Sequence, residues 1–135
     1  RCAFSQGVGE LIAYAEAEFA LNKRDKDGAS QREHLLAAIR SGSVTARIEL
    51  ESQPELPWRW RYLWQWWCEA AAARPSNGMA LSALPYSEME AWARCTGRSP
   101  TPDEYRVLRM IDNAFLVANA DTGPAKQPGQ AGRGS

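Results

Sequence analysis

A chain of 135 residues in which 16 Lys and Arg balance 16 Asp and Glu has no net field to draw it onto nucleic acid or an anionic membrane. Its 44% hydrophobic content supports one modest core, since much of that content is alanine and the 10 Gly and 8 Pro bury little area each. Cys2, Cys68 and Cys95 lie too far apart for a disulfide framework or a metal knuckle and suit a reducing cytoplasm, and no apolar run is long and uncharged enough for a leader or a membrane span, so a soluble protein is expected.

Val8, Leu11, Ile12, Ala15 and Phe19 recur at the spacing of one helix face, with Glu10, Glu16 and Glu18 directed elsewhere. A helix from Val8 to about Leu21 is predicted, with a frayed start at Gly7 and Gly9, which form too little of a dinucleotide fingerprint to cradle a phosphate. Asn22 to Ala29 is a mixed-charge turn around Gly28. Ser30 and Glu33 have the spacing of a capping box and open a helix to about Arg40, with Leu35, Leu36 and Ile39 on its apolar face and Gly42 as terminator. The single histidine, His34, has no second ligand at a useful spacing and reads as a solvent-facing helix residue. Val44, Ala46, Ile48 and Leu50 alternate with polar residues as a half-buried strand does, although a strand without a partner leaves its backbone unpaired, so a loop or short helix is the alternative. Pro54 and Pro57 then interrupt the chain.

The stretch Pro57 to Ala73 (PWRWRYLWQWWCEAAAA) holds five of the six tryptophans. On a helix at about 100° per residue, Trp60, Leu63, Trp64, Trp67 and Ala71 share one stripe, the expected core face. Trp58, Tyr62 and Trp66 follow one another at i, i+4 and i+8 on roughly the opposite side. That second apolar stripe must be covered by another part of the chain or by another molecule, so Trp58, Tyr62 and Trp66, with Arg59 at the rim, are the candidate partner-binding residues. Arg59 and Arg61 are too thin a basic lining for single-stranded nucleic acid. Arg74 to Gly78 ends this helix and begins a flexible link.

Ser87 and Glu90 suggest a second capping box for a short helix carrying Met89, Trp92 and Ala93 and stopped by Gly97. Thr101 and Glu104 form a third, with Pro102 at the favoured first position of a helix that runs to about Asn119 and buries Leu108, Ile111, Phe115 and Ala118. The two make an αα-hairpin. From Asp121 the Gly- and Pro-rich polar tail is expected to be disordered. The fold expected is therefore mainly α, a small single-domain helical protein with a C-terminal αα-hairpin and a disordered tail. Its parts are an N-terminal helix and linker (1–29), a helical domain (30–119) and a tail (120–135).

No nucleophile elbow, metal-binding helix or phosphate loop occurs, and Glu88 and Glu90 diverge on a helix instead of facing each other. Neither catalytic residues, a metal nor a cofactor is expected. The hairpin has the order of a DNA-reading helix-turn-helix, which makes a small DNA-binding regulator the alternative function. Against it, Arg106 and Arg109 are outnumbered by Asp103, Glu104 and Asp112 on the would-be recognition helix.

Leu84 to Arg94 (LPYSEMEAWAR), then Thr96 to Arg98, Thr101, Pro102, Glu104, Leu108, Ile111 and Asp112, resembles the helical hairpin of tail assembly chaperones from long-tailed bacteriophages and related prophages. Arg32 to Leu35 and the segment from Leu63 and Trp64 to Arg74 and Pro75 resemble the same proteins, so the likeness spans about residues 30 to 119. Residues 1–29 have no clear counterpart, and Cys95 stands where an aliphatic residue is more usual, an exchange expected to keep a buried thiol. The resemblance implies a non-catalytic protein of the host cytoplasm. It would coat the tape measure protein, keep it soluble and recruit major tail protein subunits, with many weak copies acting together and oligomerisation possible. Some members extend an upstream reading frame by ribosomal slippage, which would suit a chain that starts at Arg1.

Overall fold

Ser30 and Thr101 start their helices as their sequences require. The Ser30 hydroxyl accepts from the Glu33 amide at 3.2 Å while the Glu33 carboxylate accepts from the Ser30 amide at 3.1 Å. Thr101 and Glu104 repeat the exchange at 3.2 and 2.9 Å, so two orphan amides are satisfied at each start. Gly42 and Gly97, at φ +96° and +73°, end helices in the left-handed region that side chains avoid. Behind them, the Ser43 and Arg98 amides both donate at 2.9 Å to carbonyls five residues back, of Ala38 and Ala93.

The computed structural model describes residues 2–74 and 82–120, with side chains from Gly7 onward. Six α-helices follow in order: α1 (Cys2–Asn22), α2 (Gln31–Arg40), α3 (Val44–Glu51), α4 (Arg61–Ala71), α5 (Tyr86–Thr96) and α6 (Pro102–Asn119), with a 3-10 turn at Trp58–Trp60 before α4. The expected link after Arg74 (75–81) and the expected disordered tail from Asp121 lie outside the described residues.

The long helix α6 packs against α1, α4 and α5, and its burial of Val107, Leu108 and Ile111 anchors the main core. Val8, Leu11, Ala15 and Phe19 of α1 and Leu63, Trp67 and Ala70 of α4 close on it, joined by Leu84 and by Met89 of α5. A smaller cluster of Leu21, Leu35 and Ala46, with Ala38, Ile39 and Leu50 against it, holds α2 and α3 to the end of α1.

Three local expectations are corrected. Residues 44–50 form no strand but the helix α3, capped by the Ser43 hydroxyl, which accepts from the Ala46 amide at 3.1 Å. A helix satisfies its own backbone where a lone strand could not, and the apparent alternation resolves into one buried residue, Ala46, with Val44 and Ile48 left outward. Ser87 caps nothing, because α5 begins at Tyr86: the extended backbone at Pro85 (φ −72°, ψ 158°) makes it the cap, and its carbonyl accepts from the Glu88 and Met89 amides at 3.0 and 3.1 Å. The start of α1 is not frayed at Gly7 and Gly9, both of which lie inside the helix.

Those two glycines serve different purposes. A Cβ at Gly7 would fall on the Trp60 indole nitrogen, so the bare backbone lets α1 approach the tryptophan turn, whereas a Cβ at Gly9 would meet nothing within 4 Å. Removing backbone freedom stabilises a helix by about 0.5–1 kcal/mol per Gly→Ala exchange, and forcing a methyl into a filled site costs about 1–3 kcal/mol. Gly9→Ala is therefore expected to raise the urea midpoint and Gly7→Ala to lower it; two shifts of the same sign would contradict the close approach.

Candidate functional site

The tryptophan segment does not run as one helix. Trp58 to Trp60 form a single 3-10 turn, and Trp60, at φ −112° and ψ 13°, leaves helical geometry before α4 starts at Arg61. At three residues per turn instead of 3.6, the i, i+4, i+8 register of Trp58 with Tyr62 and Trp66 is not kept. From Arg61 onward the expected core stripe holds: Leu63 and Trp67 are buried, and Trp64 packs on Tyr14 and Phe19 with ring centroids 5.1 and 5.5 Å apart. Trp67 meets Phe19 and Phe115 at 5.1 and 5.4 Å.

The four candidate partner-binding residues fall into two pairs. Trp58 is 77% exposed on its turn, with the Arg59 guanidinium 5.9 Å from the indole centroid. Tyr62 and Trp66 are half-buried under the C-terminal hairpin. The Tyr62 hydroxyl donates to Glu104 Oε2 at 2.6 Å, so the carboxylate that caps α6 with one oxygen holds the phenol with the other. Trp66 sits edge-on to Tyr62 and to Trp92 of α5, with centroids 5.0 and 5.8 Å apart. The Arg98 guanidinium lies 5.6 and 5.9 Å from the Trp66 and Trp92 rings. It pairs with Glu69 at 3.3 Å, and Glu69 also accepts from the Trp92 indole at 3.3 Å. Much of the second stripe is thus covered by the chain itself.

Burial, then the hydrogen bond to Glu104 and its negative charge, push the Tyr62 phenol well above its ordinary value near 10. A raised folded-state value means that this contribution to stability is present below pH 10 and is lost as pH rises past it, because the unfolded phenol ionises first. Wild-type stability is therefore expected to fall more steeply above pH 10 than that of Tyr62→Phe, and phenolate absorbance to lose a late component in the variant. Matching alkaline slopes would dissociate Tyr62 from Glu104.

Sequence reasoning did not single out the most constrained polar group. Asp112 is fully buried in the middle of α6. Its carboxylate accepts from the Trp67 indole at 3.1 Å, from the Leu84 amide at 2.9 Å, and from the Arg74 guanidinium, whose side chain is only 8% exposed. Arg74 in turn donates to the Ser82 carbonyl at 2.7 Å and lies 5.0 Å from the Phe115 centroid. One carboxylate therefore ties the end of α4, the strand of chain entering α5, and α6 together. The available signal was an acid placed directly after Ile111 on an otherwise apolar helix stripe, with an arginine just past the α4 alanines.

His34 lies on the surface of α2, its Nε2 2.9 Å from Asp25 Oδ2. That hydrogen bond, with those from the Ala29 and Asp27 amides, holds the Asp25 carboxyl below its usual range. Cys95 is exposed, so the expectation of a buried thiol there is corrected: that position of α5 meets solvent. Among the described residues no group of three or more His, Cys, Asp or Glu could hold a metal ion, and no helix is long and apolar enough to cross a membrane.

A family model described as phage tail assembly chaperone matches residues 39–117. The chain belongs to that family. The matched span runs from the end of α2 almost to the end of α6, and so includes the Trp58 turn, the Trp66, Trp92 and Arg98 stack, and the Arg74 and Asp112 pair. In this tail assembly chaperone, α1 lies before the matched residues yet supplies Leu11, Ala15 and Phe19 to the same core. Comparison with curated proteins and with solved structures found no match.

Proposed function

We infer that this tail assembly chaperone is a non-catalytic protein of the host cytoplasm that binds the tape measure protein, keeps it soluble and recruits major tail protein subunits. The contact surface is centred on Trp58 with Arg59 at its rim, and Tyr62 and Trp66 form the rigid ground behind it. The observation that carries this reading is the 77% exposure of Trp58 on a turn held between Pro57 and α4. An indole left in water is apolar area that a partner can recover, and Trp and Arg are the residues in which binding energy concentrates. A long helical partner offers repeated apolar stripes, on which many weak copies can act together. The outward face of α6 favours this over DNA reading, since it presents Met110 and Val117 while Arg106 and Arg109 are engaged by Asp103 and the Tyr86 ring.

Co-expression with the tape measure protein tests it. The wild-type chain should raise the soluble fraction of that protein, and Trp58→Ala should abolish most of the effect with unchanged circular dichroism, because truncating a central anchor costs about 2 kcal/mol or more, roughly thirtyfold in affinity. No effect of the wild type on tape measure solubility sinks the function; full activity of a Trp58→Ala, Arg59→Ala chain sinks the surface.

A further inference from the structure

Where α5 and α6 begin, the hairpin leaves a groove of about 530 Å³, lined by Tyr86, Ser87, Glu90, Pro102, Tyr105 and Arg106. Tyr86 stands 48% exposed on one side, and Tyr105 is half-buried against the main core on the other, which fixes that wall. No ring contact joins the two tyrosines, so they are separate apolar walls of one groove. The hydroxyls of Tyr86, Ser87 and Tyr105 have no hydrogen-bond partner among the described residues, which leaves three donors at its surface.

The charge left free at the groove is negative. Arg106 is engaged by Asp103, and the Arg109 guanidinium lies over the Tyr86 ring, 5.4 Å from its centroid. Glu90 is held only loosely, 3.8 Å from Arg94, with the two side chains 68% and 71% exposed.

These features discriminate between occupants. A helical peptide pairs its carbonyls internally and would leave the three hydroxyls unused. An ordinary extended peptide brings N–H groups as well as carbonyls, and with no strand among the described residues there is no sheet edge to receive them. A polyproline II segment has unpaired carbonyls and, at each proline, no N–H, and its rings suit aromatic walls.

We propose that this groove docks a proline-rich segment of a partner protein in polyproline II form, with a basic residue beside the prolines paired to Glu90. The prolines lie between Tyr86 and Tyr105, and the tyrosine and serine hydroxyls donate to the segment's carbonyls. Proline is already restricted in φ, so little conformational entropy is lost on docking, and a small surface suffices for a weak, reversible contact.

Calorimetric titration of the full chain with a decaproline peptide carrying an arginine at each end tests this. Saturable binding with a Kd below about 1 mM is expected, with amide NMR shifts grouped at residues 86–90 and 102–106. A Gly-Ser peptide of the same length and end charges, and a decaproline with a glutamate at each end, should each bind at least roughly tenfold more weakly. Tyr86→Ala and Glu90→Lys lie at exposed positions and should leave circular dichroism unchanged. Each should weaken the arginine-ended peptide at least roughly tenfold, and Glu90→Lys should bind the glutamate-ended peptide more tightly than the wild type does.

No saturation by about 1 mM, shifts elsewhere on the chain, equal affinity for the Gly-Ser peptide, or unaltered affinity in both variants overturns the groove. Unaltered affinity in Glu90→Lys alone overturns the basic residue. Tighter binding by a Pro124→Ser, Pro128→Ser chain would assign the groove to the chain's own last residues and overturn the external partner. The groove includes neither Trp58 nor Arg59, so this test and that of tape measure binding fail independently.

Discussion

Asp112→Ala is expected to lose about 3–5 kcal/mol of stability, because it strands the Arg74 guanidinium, 8% exposed, without its counter-charge. The Trp67 indole and the Leu84 amide lose their acceptor in the same stroke. Against a total stability of about 5–15 kcal/mol for a domain of this kind, the variant should be close to unfolding at ambient temperature. The pair also makes a sharper prediction. A buried ion pair exchanged whole for apolar residues is close to neutral, so Arg74→Met combined with Asp112→Leu should recover much of the loss, short of the two N–H groups still unpaired. Urea midpoints and slopes of the wild type, Arg74→Met, Asp112→Leu and the double variant give the coupling energy. A loss below about 1 kcal/mol for Asp112→Ala, the value of an exposed pair, would show that Asp112 does not clasp these elements.

The second large effect is expected at Trp66. Truncating a buried tryptophan to alanine costs about 3–5 kcal/mol, and a half-buried one should lose about 2–3 kcal/mol. Here the ring is the partner of Tyr62, Trp92 and Arg98 together, so its removal loosens α5 from α4, which meet over a narrow contact. Trp58→Ala, at a site where nothing is packed away, should shift the same midpoint by no more than about 0.5 kcal/mol. The contrast decides how binding experiments are read. A combined alanine exchange of Trp58, Tyr62 and Trp66 would damage the fold and the surface at once, whereas Trp58 alone reports on the surface. Equal midpoints for Trp58→Ala and Trp66→Ala would mean that the hairpin does not rest on Trp66.

Much of the helical layout was legible from local signals. Ser30 with Glu33 and Thr101 with Glu104 act within four residues of chain, and Gly42 and Gly97 stop helices because of their own backbone freedom, so no distant group is needed to predict them. The same locality misled at Val44 to Leu50, where alternation is read equally well as a strand or as a short helix with one buried alanine. It misled again at Ser87, where Pro85 had already supplied the cap.

The candidate site was legible only in part. That five tryptophans crowd one segment and supply more apolar surface than one core face needs follows from spacing; which of them meets water does not. The fate of Tyr62 and Trp66 depends on Glu104, Trp92 and Arg98, which lie 26 to 42 residues along the chain from their partners. Arg74 meets Asp112 across 38 residues. Thus the sequence by itself determined five of the six helices among the described residues, the capping boxes at Ser30 and Thr101 and the excess of aromatic surface, all set by neighbours within a turn or two. Only the tertiary structure decided that the hairpin covers Tyr62 and Trp66, that Asp112 is a buried clasp, and that Trp58 stays outside. Coverage and charge pairing depend on which helices are brought together, and a pattern with a period of a few residues carries no record of that.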